Sequence, residues 1–214
     1  MLSPELASVE ARKICELAPV VPVLVVHEIA HARPLAEALV AGGLPALEVT
    51  LRTPVALDVI REMAKVEGGV VGAGSILTPK HVSQVLEAGA KFGVSPGSTD
   101  KVLTAAEEAD LPMLPGAATA SEVMALLERG YEVQKFFPAE IAGGAAAIKA
   151  LGAPIPGVSF CPTGGVSMKN AMDYLSLSNI LCVGGSWVAP QKLVDAGDWK
   201  AIEELAREAA ALPR

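Results

Sequence analysis

Apolar positions along the chain fall into short, nearly unbroken runs that alternate with longer segments in which they recur at helical spacing. The runs at residues 20–26, 46–51, 70–73, 92–94, 113–114, 133–136, 157–160 and 180–183 predict strands. The Ala- and Leu-rich stretches at 33–41, 54–66, 79–88, 98–109, 121–129, 144–151 and 167–175 predict helices. Each helical stretch begins near Ser, Thr or Pro, and several end at Gly, the residue types that start and stop helices. Strands that are apolar on both faces belong to parallel sheets covered by helices on either side. Eight such strands alternating with helices predict an α/β fold of the (β/α)8 TIM-barrel type. An extra N-terminal helix at residues 2–17, within the leading segment 1–18, is expected to cover the barrel bottom. A doubly wound open sheet is the competing architecture, but no G-x-G-x-x-G turn follows the first strand. Gly and Pro punctuate the units rather than forming a linker, so residues 1–214 are expected to make one domain.

Composition narrows the function classes. The chain is 51% hydrophobic and 19% charged, enough apolar matter for a sizeable core. A net charge of −7 without clustered Lys and Arg argues against a nucleic-acid partner. No apolar stretch approaches the roughly 20 residues needed to span a bilayer, and Glu5, Glu10, Arg12 and Lys13 interrupt any signal-peptide core. A cytoplasmic protein without membrane contact is the expectation. Cys15, Cys161 and Cys182 are odd in number and form no C-x-x-C pair, so they are expected to be reduced packing residues.

In a barrel of this type the chemistry lies at the C-terminal ends of the strands, so the polar residues there matter most. The sixth run ends at Lys135, followed at once by Phe136, Phe137 and Pro138. Burial disfavours the charged form of an amine, and a neutral lysine can condense with a ketone to form a Schiff base. The alternative is a structural lysine whose stem lies on the barrel wall and whose head reaches solvent. On the second run, Glu48, Thr50 and Arg52 share one face by the two-residue period of a strand. An inward carboxylate can shuttle protons; equally, Glu48 can pair with Arg52 or Lys135 in a buried ion pair. Thr163-Gly164-Gly165 and Gly184-Gly185-Ser186 follow the seventh and eighth runs, where barrels commonly build a phosphate site from exposed backbone N–H groups. Either glycine pair can instead serve backbone freedom alone.

His27-Glu28-Ile29-Ala30-His31 matches the H-E-x-x-H zinc-hydrolase pattern. That pattern needs one continuous helix, and Pro34 would clash with the Ala30 carbonyl if a helix ran through it. The helix is therefore expected to begin near Arg33, leaving the two rings apart. His81 reads as a surface residue on a helix.

The stretches GLPALEVTLR (43–52), VGAGS (71–75), VSPG (94–97), LPG (114–116), KFFPAE (135–140), FCPTGGV (160–166) and CVGGSW (182–187) together resemble the class I 2-keto-3-deoxy-6-phosphogluconate aldolases, which also act on 4-hydroxy-2-oxoglutarate. The match runs in order from about residue 19 to 190. The resemblance implies that Lys135 is the Schiff-base lysine and Glu48 the general acid/base. It implies that Arg52 and Thr163 hold the substrate carboxylate, that Gly164, Gly165, Gly185 and Ser186 cradle the phosphate, and that Phe137 and Pro96 shape the pocket around the pyruvyl group. It further implies a phosphorylated 2-keto acid as substrate, no metal, no cofactor and a homotrimer. Ser75 stands where the family more commonly has threonine; its hydroxyl remains available to substrate.

Overall fold

The computed structural model describes residues 1–213; Arg214, the last position of the expected domain, lies outside the described residues. All strand pairs are parallel. The strands are β1 (Val20–Leu24), β2 (Ala46–Thr50), β3 (Val70–Gly74), β4 (Gly93–Val94), β5 (Met113–Leu114), β6 (Gly116–Ala117), β7 (Val133–Phe136), β8 (Ser159–Pro162) and β9 (Val183–Gly185). Six of them pair in the order β5-β4-β3-β2-β1-β9 and three in the order β6-β7-β8. Two isolated bridges, Phe160 with Ile180 and Thr163 with Gly184, connect the β8 segment to the β9 segment.

The sequence predicted eight strands, and the described residues form nine because the fifth run continues beyond Pro115. Proline has no N–H to give a ladder, yet the Pro115 carbonyl still accepts from the Lys135 N–H at 2.8 Å. The first strand also stops two residues early, at Leu24 rather than Val26.

Helices α1 (Pro4–Cys15), α2 (Ala32–Ala41), α3 (Ala56–Met63), α4 (Pro79–Glu87), α5 (Asp100–Glu108), α6 (Ala120–Arg129), α7 (Gly144–Gly152) and α8 (Ala171–Leu175) fall where the patterns place them, most of them shorter. Two C-terminal helices, α9 (Gln191–Ala196) and α10 (Trp199–Ala210), were not foreseen. Their signals were present: Asp198 caps α10 by accepting from the Ala201 N–H, and Ile202, Ala206 and Ala209 are its buried stripe. Capping also starts α4, α5 and α6, where Thr78, Thr99 and Thr119 each accept an N–H of the first turn.

Beneath the strands, α1 docks through Ser8, whose hydroxyl accepts the N–H groups of Glu132 and Val133 at 2.7 and 3.0 Å. Ala11 and Cys15 on the same helix enter a cluster with Val21, Val94, Leu114, Val133, Cys161 and Cys182. The three cysteines are free and buried, as packing residues should be.

Candidate active site

Strand geometry brings two distant charges together. Lys135 near the end of β7 and Glu48 in the middle of β2 are 4% and 3% exposed, and the Lys135 Nζ donates to Glu48 Oε1 at 3.1 Å. Two alternatives raised by the sequence are thereby decided on position: the Lys135 head points inward rather than to solvent, and Glu48 pairs with Lys135 rather than with Arg52. A buried ion pair adds little net stability over a well-packed apolar pair, so stability alone does not account for these residues. The space for the carboxylate comes from β3, where a side chain at Gly74 would lie 2.8 Å from Glu48 Cγ. On the other side the ammonium lies 5.4 Å from the centroid of the Phe137 ring, within cation–π reach.

Phe137 leads into a cavity of about 190 Å³ lined by Val23, Val25, Arg52, Thr163, Gly164, Gly165, Val166, Gly184 and Ser186. Arg52 leaves the end of β2 and donates from Nε to the Ser75 hydroxyl at 3.3 Å. Ser75 adopts φ +62°, a left-handed conformation that costs a non-glycine residue on the order of 1 kcal/mol. Pro96 sits against Gly116, whose own pairing partner is Lys135. Gly116 allows this approach: a Cβ there would come within 2.7 Å of the Gly97 nitrogen.

Two expectations change. Thr50 does not offer its hydroxyl to the cavity; it donates to the Leu24 carbonyl at 2.9 Å and ties β2 to β1. Gly185 lies within β9 and faces the Trp187 ring, whereas Gly184 and Ser186 reach the cavity wall. Gly184 also makes room for Thr163, whose Cγ2 would be 3.0 Å from a Cβ at that position. The signal for Val23 and Gly184 was the two-residue period itself, each lying two positions beyond a residue of the lower cluster.

The H-E-x-x-H segment behaves as the proline argued. Ile29–His31 is a 3-10 turn and α2 begins at Ala32, while the His31 ring meets Trp199 edge-on at 5.6 Å. Among the described residues no three His, Cys, Asp or Glu side chains gather as a metal site, and no helix is long and apolar enough to cross a membrane.

A family model described as KDPG and KHG aldolase matches residues 11–205. The chain belongs to this aldolase family. The KHG/KDPG aldolase of Escherichia coli K12 is 50% identical over 200 residues, covering 93% of this chain and 94% of that protein. Among solved structures, the 2-keto-3-deoxy-6-phosphogluconate aldolase of Zymomonas mobilis ZM4 with 3-phosphoglycerate superposes with a TM-score of 0.92 at 49% identity, covering 97% of this chain and 98% of that one. The aldolase of Legionella pneumophila, with pyruvate captured as a covalent carbinolamine, gives a TM-score of 0.91 at 43% identity over 94% of this chain and 98% of that one. Phe137, whose ring centroid lies 5.4 Å from the Lys135 nitrogen, is thus shared between the Lys135–Glu48 pair and the wall of the cavity that carries the glycine-rich turns.

Proposed function

We infer that this chain is a class I, imine-forming aldolase that cleaves 2-keto-3-deoxy-6-phosphogluconate to pyruvate and glyceraldehyde 3-phosphate, and 4-hydroxy-2-oxoglutarate to pyruvate and glyoxylate. The observation that carries the reading is the buried contact between Lys135 and Glu48. Glu48 takes a proton from Lys135, and the freed amine attacks the C2 ketone to give a carbinolamine. Glu48 returns that proton to the carbinolamine hydroxyl, which departs as water and leaves a protonated imine, an electron sink. Glu48 then takes the proton of the C4 hydroxyl as the C3–C4 bond breaks, its electron pair passing into the imine to form an enamine. The aldehyde leaves, C3 is protonated, and water releases pyruvate and restores the amine.

Arg52 is assigned the substrate carboxylate because a guanidinium offers paired donors to a planar acid; Thr163 and Ser75 stand on the same wall. Gly164, Gly165 and Ser186 are assigned the phosphate, with Gly185 holding the backbone of the second turn. Phe137 and Pro96 flank the pyruvyl carbons.

The strands are proposed to close as a (β/α)8 barrel in one domain, with α1 as the additional helix over its lower end. The continuity of β5 and β6 through Pro115 and the Thr163–Gly184 bridge support closure. Exposed Leu77, Met124 and Ile141 leave apolar surface for the subunit contacts of a homotrimer, and a cytoplasmic setting suits the free thiols.

Treatment with pyruvate and borohydride tests the assignment. A reduced adduct mapped to Lys135 by mass spectrometry is the expected result; an adduct on another lysine, or none, refutes it.

A further inference from the structure

The loop between β7 and α7 is tied to the glycine turn after β8 more closely than chain connection requires. Three successive carbonyls of that turn have donors outside it. The Thr163 carbonyl accepts from the Ala139 N–H at 2.8 Å, the Gly164 carbonyl from the Glu140 N–H at 3.0 Å, and the Gly165 carbonyl from Asn170 Nδ2 at 3.2 Å. In a trans peptide the carbonyl and the following N–H point in opposite directions. Fixing these carbonyls outward therefore turns the N–H groups of Gly164, Gly165 and Val166 toward the cavity that these same residues line. The φ values of +101° at Gly164 and +81° at Gly165 make that arrangement one that glycine adopts freely.

Side chains reinforce it. A Cβ on Gly165 would lie 2.5 Å from Glu140 Cγ and 2.7 Å from its Cβ, so the Glu140 side chain covers the outer face of the turn. Glu140 is itself exposed, but its carboxylate accepts a hydrogen bond from the hydroxyl of the buried Tyr174 on α8. Glu140 Oε1 also lies 3.6 Å from where a Cβ of Gly144 would be, over the first residue of α7, where helix polarity favours an anion. The negative charge is thus drawn away from the turn rather than left beside an incoming anion. Asn170 is held in place because its Oδ1 accepts the Ser167 N–H at 2.7 Å.

We propose that Glu140, Tyr174 and Asn170 are positioning residues that lock the 163–166 turn with its N–H groups facing the cavity, and so set the preference for phosphorylated over unphosphorylated 2-keto acids. They do so without touching the reacting carbons. This rests on the reading of that turn as the phosphate site. The test measures kcat and KM for 2-keto-3-deoxy-6-phosphogluconate and 4-hydroxy-2-oxoglutarate in Glu140→Ala, Glu140→Gln and Tyr174→Phe, with Ser186→Ala as reference. Losing one such hydrogen bond is expected to raise the ratio of the two KM values, phosphorylated over unphosphorylated, about tenfold in Glu140→Ala and Tyr174→Phe. Glu140→Gln, whose amide oxygen still accepts from Tyr174, should recover most of that change. KM does not depend on the amount of folded enzyme, so a destabilised Tyr174→Phe still gives the ratio, and the surface variant Glu140→Ala reports independently. An unchanged ratio in both, with Ser186→Ala still raising it, overturns the brace alone. A ratio that Ser186→Ala also leaves unchanged overturns the phosphate reading and the brace with it.

Discussion

Two layers of side chains line the inward faces of the same strands, and they differ completely in character. The lower holds Val21, Ala46, Val94, Leu114, Val133, Cys161 and Cys182. Two positions further along each strand, one pleat repeat, stand Val23, Glu48, Pro96, Gly116, Lys135, Thr163 and Gly184. Below, the gap under Glu48 between Ala11, Cys15, Phe92 and Leu114 amounts to about 10 Å³, space for no more than one water. Above, the open cavity is near 190 Å³. One pleat repeat separates a tightly packed plug from the layer that carries Lys135 and Glu48. The small residues Gly72 and Gly74 on β3 serve both layers: a side chain at the first would strike the Phe92 ring and at the second the Glu48 carboxylate.

The comparison breaks most visibly at the upper layer. Lys135→Ala removes the proposed nucleophile and should leave no measurable turnover. Glu48→Gln should lower kcat by roughly 10²–10⁴, the usual worth of a positioned acid/base, while pyruvate and borohydride still trap Lys135 slowly. Wild-type kcat in Glu48→Gln would remove this carboxylate from the mechanism.

The lower layer should respond in the opposite sense. Leu114→Ala opens a cavity in the plug and is expected to cost about 2–5 kcal/mol of unfolding free energy in a urea titration, with kcat close to that of the parent. A large fall in kcat at unchanged stability would mean that the two layers are not separable.

The smallest effect concerns groups outside both layers. Burial first, then hydrogen bonds and charge from Glu107 and Glu140 respectively, raise the phenol pKa of Tyr131 and Tyr174 above the ordinary value of 10.0. A raised pKa in the folded state means that these residues' contribution is intact below the unfolded value and declines as pH climbs beyond it. Unfolding midpoints measured from pH 8 to 11 should therefore stay level and then drop above about pH 10. Tyr174→Phe should flatten part of that drop, and an unaltered curve would argue that its phenol is not held neutral.

Much of this was legible in the chain. Runs such as 20–26 and 70–73 lack alternation because both faces are covered, by the interior on one side and helices on the other, and that alone argued for parallel strands. Motif residues near strand ends were found for the same reason: the two-residue period and the placing of turns are local properties. The C-terminal pair α9 and α10 could have been read from the Asp198 cap and the Ile202, Ala206, Ala209 stripe. Thr50 misled because its face was right but its hydroxyl had a backbone acceptor across the ladder, at Leu24.

Sequence by itself determined where most of the strands lie and where their polar residues fall along them, that Pro34 would not let the H-E-x-x-H segment run as one helix, and to which family the motifs belong. Only the tertiary structure decided that Lys135 meets Glu48 across 87 positions of chain, that Gly184 rather than Gly185 reaches the cavity, and that Glu140 and Tyr174 close over the turn from outside. The reason is physical. Periodicity and capping arise from neighbours along the chain, whereas the pairing of β2 with β3 and of β7 with β8, and the depth at which each side chain sits, follow from packing all the strands and helices at once.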